Sequence, residues 1–303
     1  MAEKKKAGKS SKSARKAQSP AKKSPATKKR SARSALATAT SASKPVDERI
    51  QAMTEAPLAV CAEDESLQKM LNVLRNREEP IEVRLAALQS LQAASFAVLA
   101  FESCRADYIA TLRELVEDPD PELRQRVLGI LARENDGFVQ KKLLEGLKKP
   151  GKALVPPEKA LQLLSYDVHS EAYPIAREIV KNPPSSEAKR EALRLLSADP
   201  AAVPVFEKIL RDKDELAELR QLSASALNSL RPEKLQEHAR EIVLDKNEYD
   251  DIQAVSLTAL TTLGDEAEVT GDAELLKRVD ALKGEKSTKV KKSARRFLEK
   301  YGE

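Results

Sequence analysis

Tryptophan is absent from the 303 residues, and the aromatic residues together make up only 3%. A core without large rings must be filled by Leu, Ala, Val and Ile, the packing style of helix against helix. Hydrophobic residues at 41% still allow a sizeable core, and charged residues at 33% suit helices with one wet face. Cysteine occurs twice, as Cys61 and Cys104, and neither lies in a CxxC. That excludes a disulfide framework and reads as two small buried residues of a reducing compartment. No apolar run approaches the roughly 18 residues that a membrane-spanning helix needs. Met1 to Lys6 leads into no apolar stretch, so a secretory signal is not expected. Ser31 to Ser43, with Arg30 and Arg33, has some character of an organellar transit peptide, but the excess of Lys over Arg argues against one.

Signatures of catalysis are missing as well. Glycine totals nine, and there is no P-loop, GxGxxG, GxSxG or zinc-deaminase pattern. His169 and His238 are the only histidines, and neither has a metal-ligand partner at helical spacing. The acid pairs Glu78-Glu79 and Asp250-Asp251 fall between helices, where capping is their expected role. No catalytic residue, metal ligand or cofactor is assigned, and the chain is expected not to be an enzyme.

What is present is strongly polarised. Residues 1–45 hold eleven Lys and three Arg against the single acid Glu3, a charge of +13. The net charge is +5, so residues 46–303 carry −8. Residues 283–303 hold eight bases and three acids, leaving −13 on 46–282. An acidic body is thus flanked by basic ends, a pattern typical of interaction tails. The first 45 residues have too little apolar surface to offset ordering entropy and are expected to be disordered. They include Ser19-Pro20-Ala21-Lys22-Lys23 and Ser24-Pro25-Ala26-Thr27-Lys28-Lys29-Arg30. These resemble the Ser-Pro-Lys-Lys repeats of linker-histone tails and bacterial histone-like tails. The resemblance implies sequence-independent binding to DNA, with Lys16, Lys22, Lys23, Lys28, Lys29, Arg30 and Arg33 as the polyanion contacts. The physics agrees, because a flexible cationic chain gains free energy by releasing counterions. The tail has no aromatic residue, so it cannot stack on bases. A solubility, targeting or regulatory segment is the alternative.

The body is periodic. In Leu115-Val116-Glu117-Asp118-Pro119-Asp120-Pro121-Glu122-Leu123-Arg124 one helix ends, an Asp/Pro turn follows, and a second helix begins. The second helix carries apolar or small residues at positions 0, +4, +5 and +8, one helical face. That face recurs seven times, beginning at Val83, Leu123, Pro156, Ala188, Leu219, Ile252 and Val290, at intervals of 40, 33, 32, 31, 33 and 38 residues. Pro156 makes the third copy the weakest, and Arg295 stands where the last copy needs a core residue. First helices of each pair supply the other layer through Leu67-Leu71-Leu74, Tyr108-Leu112-Leu115, Val139-Leu143-Leu147, Ile175-Ile179, Val205-Ile209, Leu235-Ile242 and Leu275-Val279. Such pairs cannot bury their apolar faces alone, so they must stack.

Position +1 is Arg84, Arg124, Lys189, Arg220 and Lys291, interrupted by Pro157 and Gln253. Position −1 is acidic in Glu82, Glu122, Glu187, Glu218 and Asp251. With these residues the chain resembles the HEAT-repeat family, in particular its short bacterial type, from about residue 64 to 303. The resemblance implies an all-α, right-handed α-solenoid of about seven helix pairs, with units starting near 64, 103, 136, 170, 200, 232 and 272. It also implies a structural ladder between units, made by Glu82, Arg84, Glu122, Arg124, Glu187, Lys189, Glu218 and Arg220. The domain reading is therefore a basic tail over 1–45 and a repeat domain over 46–303.

HEAT-like DNA glycosylases use a basic, Trp-bearing groove, which the acidic, Trp-free body does not match. HEAT-like lyases and chaperones for cofactor attachment are another alternative, with no residue here specifying them. The last helix places Lys291, Lys292, Arg295 and Arg296 on one basic stripe. This is either a polar end cap or a second polyanion contact. The expected function is a monomeric scaffold, cytoplasmic or nucleoid-associated, or nuclear if the cell is eukaryotic, that binds a protein partner on the solenoid and a polyanion, DNA in the first place, through the tail. No membrane partner or small-molecule substrate is expected.

Overall fold

The computed structural model describes residues 33–55, 64–166 and 170–302, and every regular element among them is helical. None of these helices is long and apolar enough to cross a membrane. The chain divides into two units, one ending at Tyr108 and one beginning at Ile109.

The first unit contains a helix over residues 33–39 (α1), then α2 (Val46–Glu55), α3 (Asp64–Arg75), α4 (Ile81–Ser95) and the start of α5 (Val98–Glu114). Helices α2 and α3 both pack on α4, where Met53, Leu71, Leu74, Leu88 and Leu91 form a core. Phe101 and Tyr108 meet edge to face with centroids 5.4 Å apart. Composition predicts disorder up to residue 45, but α1 is ordered, with Leu36 and Ala39 buried. Its order has a local cause: Arg49 Nε donates to the Ala39 carbonyl at 3.1 Å and so ties α1 to α2. This pair is a repeat ahead of the seven read from the sequence. Its first face residue is Glu48, so the apolar pattern does not reveal it.

The second unit continues through α6 (Pro121–Arg133), α7 (Gly137–Lys148), α8 (Pro157–Leu164), α9 (Tyr173–Lys181), α10 (Ser186–Leu196), α11 (Val203–Arg211) and α12 (Ala217–Leu230). It ends with α13 (Pro232–Leu244), α14 (Asp250–Leu263), the short α15 (Glu266–Gly271), α16 (Ala273–Leu282) and α17 (Thr288–Tyr301). Second helices form one row, in the order α6, α8, α10, α12, α14, α17, each packed on the next. Each first helix from α7 onward packs on its own second helix. The unit is an α-solenoid, and the predicted faces explain it: Leu123, Val127, Leu128 and Leu131 are all fully buried, as are Ala188, Ala192, Leu193 and Leu196. Ends are set by local chemistry. Asp120, Ser185 and Ser287 cap α6, α10 and α17 by accepting the N–H three residues on.

Two first helices are rotated from expectation. Ile175 and Ile179 of α9 are only partly buried, and Tyr173, Ala176 and Val180 face the core instead. In α11, Val205 is only partly buried and Phe206 and Leu210 are buried beside Ile209. Each follows a 3-10 turn, at Ser170–Ala172 and Pro200–Ala202, which changes the phase at which the short helix starts. Pro156 is exposed and precedes α8 as its cap. Arg295 is exposed on α17, the last helix of the row among the described residues, so it does not serve as a core residue there.

Candidate functional site

The residues at position +1 build the frame of the site. Arg84 Nε donates to the Leu74 carbonyl at 3.0 Å, and Arg220 Nε to the Leu210 carbonyl at 3.0 Å. Arg49 does the same one repeat earlier, so each Arg closes the C-terminus of its own first helix. The guanidinium then reaches an acid in the next turn. In the first unit Arg49 holds Glu79 by two bonds, 2.6 and 2.8 Å. In the second unit Arg220 holds Glu248 by two, 2.9 and 2.6 Å, and Lys189 pairs with Glu215. Glu79, Glu215 and Glu248 all stand at position −4 of their repeats.

The ladder therefore uses position −4 where position −1 is expected. Glu82, Glu122, Glu187 and Glu218 are exposed. Glu122 pairs with Arg126 on its own helix, and Glu187 accepts from the Ser186 hydroxyl. Glu218 lies 3.7 and 3.8 Å from Arg190 and Arg194 of α10. The reason is geometric: residue −1 lies on the first turn of a helix whose 0 position is buried, and it points outward. Residue −4 lies in the turn, beside the preceding repeat's guanidinium.

A second set of ion pairs ties consecutive first helices together. Arg113 binds Asp136, the cap of α7, at 2.6 Å. Arg177 binds Asp199, and Arg240 binds Asp272, the cap of α16, at 2.5 Å. The hydrogen bond from Arg240 holds the Asp272 carboxyl below its usual range. Burial pushes Glu248 up, but the bonds from Arg220 and Lys213 outweigh it and leave the carboxyl lowered. The face pattern at 0, +4, +5 and +8 does not reveal these pairs.

A base at +1 facing an acid at −4 is confined to three junctions: the −4 residue is Pro119 after Arg84, Lys152 after Arg124 and Lys286 after Gln253, and at one junction both positions are prolines. The third predicted copy has Pro157 at +1, and the following copy has Pro184 at −4, so both members of the pair are prolines. A groove of about 580 Å³ opens there, and both prolines line it. Its walls include Leu143 and Leu147 of α7, Val155 of the loop and Ile179 of α9. Proline has no side-chain donor, so the Leu147 carbonyl receives no guanidinium from position +1, unlike its counterparts Leu74 and Leu210. Gly146 lets the loop approach: a Cβ there would come 3.0 Å from Ala153 Cα. Arg124 closes one end. It donates through Nε to the Leu154 carbonyl at 2.9 Å and through Nη1 to the Asp118 carbonyl at 2.6 Å. Position −4 of this repeat is Lys152, so Arg124 meets carbonyl oxygens where Arg220 meets a carboxylate. A charged cleft of about 490 Å³ shares Arg124, with Glu117 bound to Lys142 and Glu145 bound to Lys152 along it. Sequence reasoning noted Pro157 as a break in the ladder but did not identify the groove.

The basic candidates are scattered. Lys16, Lys22, Lys23, Lys28, Lys29 and Arg30 lie outside the described residues. Arg33 is exposed on α1 of the first unit. In the second unit Lys292, Arg295 and Arg296 are exposed on α17 and Lys291 is half-buried, opposite the buried face of Val290, Ala294, Phe297 and Tyr301. His169 lies outside the described residues, and His238 sits 3.3 Å from Glu207. Cys104 is buried, and Cys61 lies outside the described residues. The first unit also presents Phe96, Val98 and Leu99 at 77%, 57% and 95% exposure.

No family model matches the chain, and no curated protein does. Among solved structures it is similar to an engineered protein from a structural genomics consortium, with 18% identity, coverage of 91% of this chain and 85% of that one, and a TM-score of 0.49. Human deoxyhypusine hydroxylase gives 15% identity, 81% and 99% coverage and 0.35. The complex of CpcE and CpcF of phycocyanin lyase from Nostoc sp. PCC7120 gives 17%, 88% and 97%, and 0.38. None of these likenesses is strong enough to assign an activity.

Proposed function

We propose that the chain is a non-enzymatic binding scaffold. Its solenoid unit holds a protein partner, and its basic N-terminal segment holds a polyanion, DNA in the first instance, without sequence preference. The groove at the broken ladder carries the protein-binding half of this reading. At three junctions the slot is filled by a base and an acid of the protein itself, Arg49 with Glu79, Lys189 with Glu215 and Arg220 with Glu248, whereas this one presents aliphatic and proline walls to solvent. The +13 charge of residues 1–45 supports the polyanion half.

Two measurements test the reading. A photo-crosslinking side chain is placed singly at Val155, at Leu99 and at exposed positions along α10 and α12 of the full chain in its native cell. Cross-links to one protein from the solenoid unit are expected, and none from any position would sink the scaffold. A gel shift with duplex DNA at increasing salt compares the full chain with one lacking residues 1–30. That boundary keeps α1, which anchors Arg49. Equal binding by the two would refute the role of the tail.

A further inference from the structure

We propose that the groove at the broken ladder takes an acidic, aliphatic segment of the partner protein. An aliphatic side chain enters between Leu143, Leu147, Val155 and Ile179, and a neighbouring carboxylate meets Arg124. The inference rests on the scaffold reading and names the partner's chemistry.

The other junctions indicate what belongs in this slot. Where Arg220 stands, the slot is filled by a guanidinium and a carboxylate, both nearly free of solvent. At the third junction neither side chain exists, because Pro157 and Pro184 occupy the two positions. The remaining surface is apolar, and its size of about 580 Å³ suits a few side chains of an extended peptide. At the groove's end Arg124 has carbonyl partners only among its hydrogen bonds. A carboxylate added there would form a charge-assisted pair of the kind seen at Glu248.

The surrounding charge has the matching sign. Residues 46–282 sum to −13, yet 141–152 contain five lysines against Glu145 alone; Lys142 and Lys152 are paired with Glu117 and Glu145, and Lys141, Lys148 and Lys149 supply the basic rim. Lys148 and Lys149, both exposed, lie in the chain between the wall residues Leu147 and Pro150. A basic rim on an otherwise acidic body steers acidic segments to this place and repels basic ones.

The test uses the full chain and a capped hexapeptide of alternating Leu and Glu, followed by fluorescence anisotropy and methyl NMR. Shifts are expected at the methyl groups of Leu143, Leu147, Val155 and Ile179. Replacing Glu by Gln in the peptide should weaken binding about tenfold or more, since the charge-assisted bond and the rim attraction are both lost. Val155→Glu should weaken it by about as much by placing a like charge in the groove. The double variant Pro157→Arg with Pro184→Glu rebuilds the missing pair in place and should abolish binding while leaving the far-UV spectrum unchanged. The assignment is overturned if millimolar peptide leaves those methyl groups unmoved, or if the Gln peptide and the Val155→Glu chain bind as well as the originals. Cross-links elsewhere on the solenoid with none at Val155 would also overturn it while leaving the scaffold standing.

Discussion

Replacing Glu248 with Gln removes one charge and almost no volume from the best-formed junction of the solenoid. The carboxylate side chain has no solvent exposure, and that of Arg220 has 3%. Glu248 receives two bonds from Arg220 and one from Lys213, at 2.6 Å. Breaking a buried pair by removing one charge costs about 3–5 kcal/mol, because the other charge is stranded. The lower end applies here: the Gln carbonyl can still accept one bond, and Lys213, at 56% exposure, can turn to water. About 3 kcal/mol corresponds to roughly a hundredfold increase in local opening, at about 1.4 kcal/mol per factor of ten. Hydrogen exchange measured by mass spectrometry on peptides from α12, α13 and α14 reads this directly. Glu218→Gln is the matched control. That residue sits at the −1 position and is 57% exposed, so its change should stay within about 0.5 kcal/mol. If the two variants exchange alike, the ladder does not run through position −4 and the groove loses its explanation.

Acid should loosen the solenoid. Glu248, Asp245 and Asp272 are all lowered in the fold, so their stabilisation is complete above the ordinary carboxylate range of about pH 4 and is lost as pH falls through their folded values. Melting followed by circular dichroism should show a falling midpoint below about pH 4, with a flatter profile in Glu248→Gln. A chain lacking residues 1–45 should melt below one lacking residues 1–30, because it loses α1 and the carbonyl that Arg49 caps; equal melting would refute the additional repeat. Gly264→Ala should destabilise the end of α14 by about 1–3 kcal/mol, since a Cβ would lie 2.4 Å from the Leu260 carbonyl oxygen; unchanged exchange there would show that the turn can yield.

Much of the fold was legible from the sequence. Burial demands a face, a face demands positions 0, +4, +5 and +8, and that pattern survives wherever Leu, Ala or Val can fill it. Leu123, Leu193 and Leu257 are buried for that reason. The pattern was silent where the face was short. Helix α1 has only Leu36 and Ala39 to show, and α9 and α11 enter through 3-10 turns that shift their phase by a residue.

The candidate site was another matter. Its parts were visible: Pro157 as a break, Arg124 as a ladder base, five lysines between 141 and 152. Their meaning was not, because a ladder joins residues about 30 apart, such as Arg49 and Glu79 or Arg220 and Glu248. Which acid an arginine meets depends on where the next turn lies in space, and local spacing does not carry that information. The sequence by itself determined the helix pairs from α3 onward and the buried side of most second helices, since those follow from periodicity within one turn of helix. Only the tertiary structure decided that Glu79, Glu215 and Glu248 at −4 form ladder pairs and that Pro157 and Pro184 line one open slot. A solenoid brings equivalent positions of neighbouring repeats together, and a gap arises where both partners lack a long polar side chain to fill it.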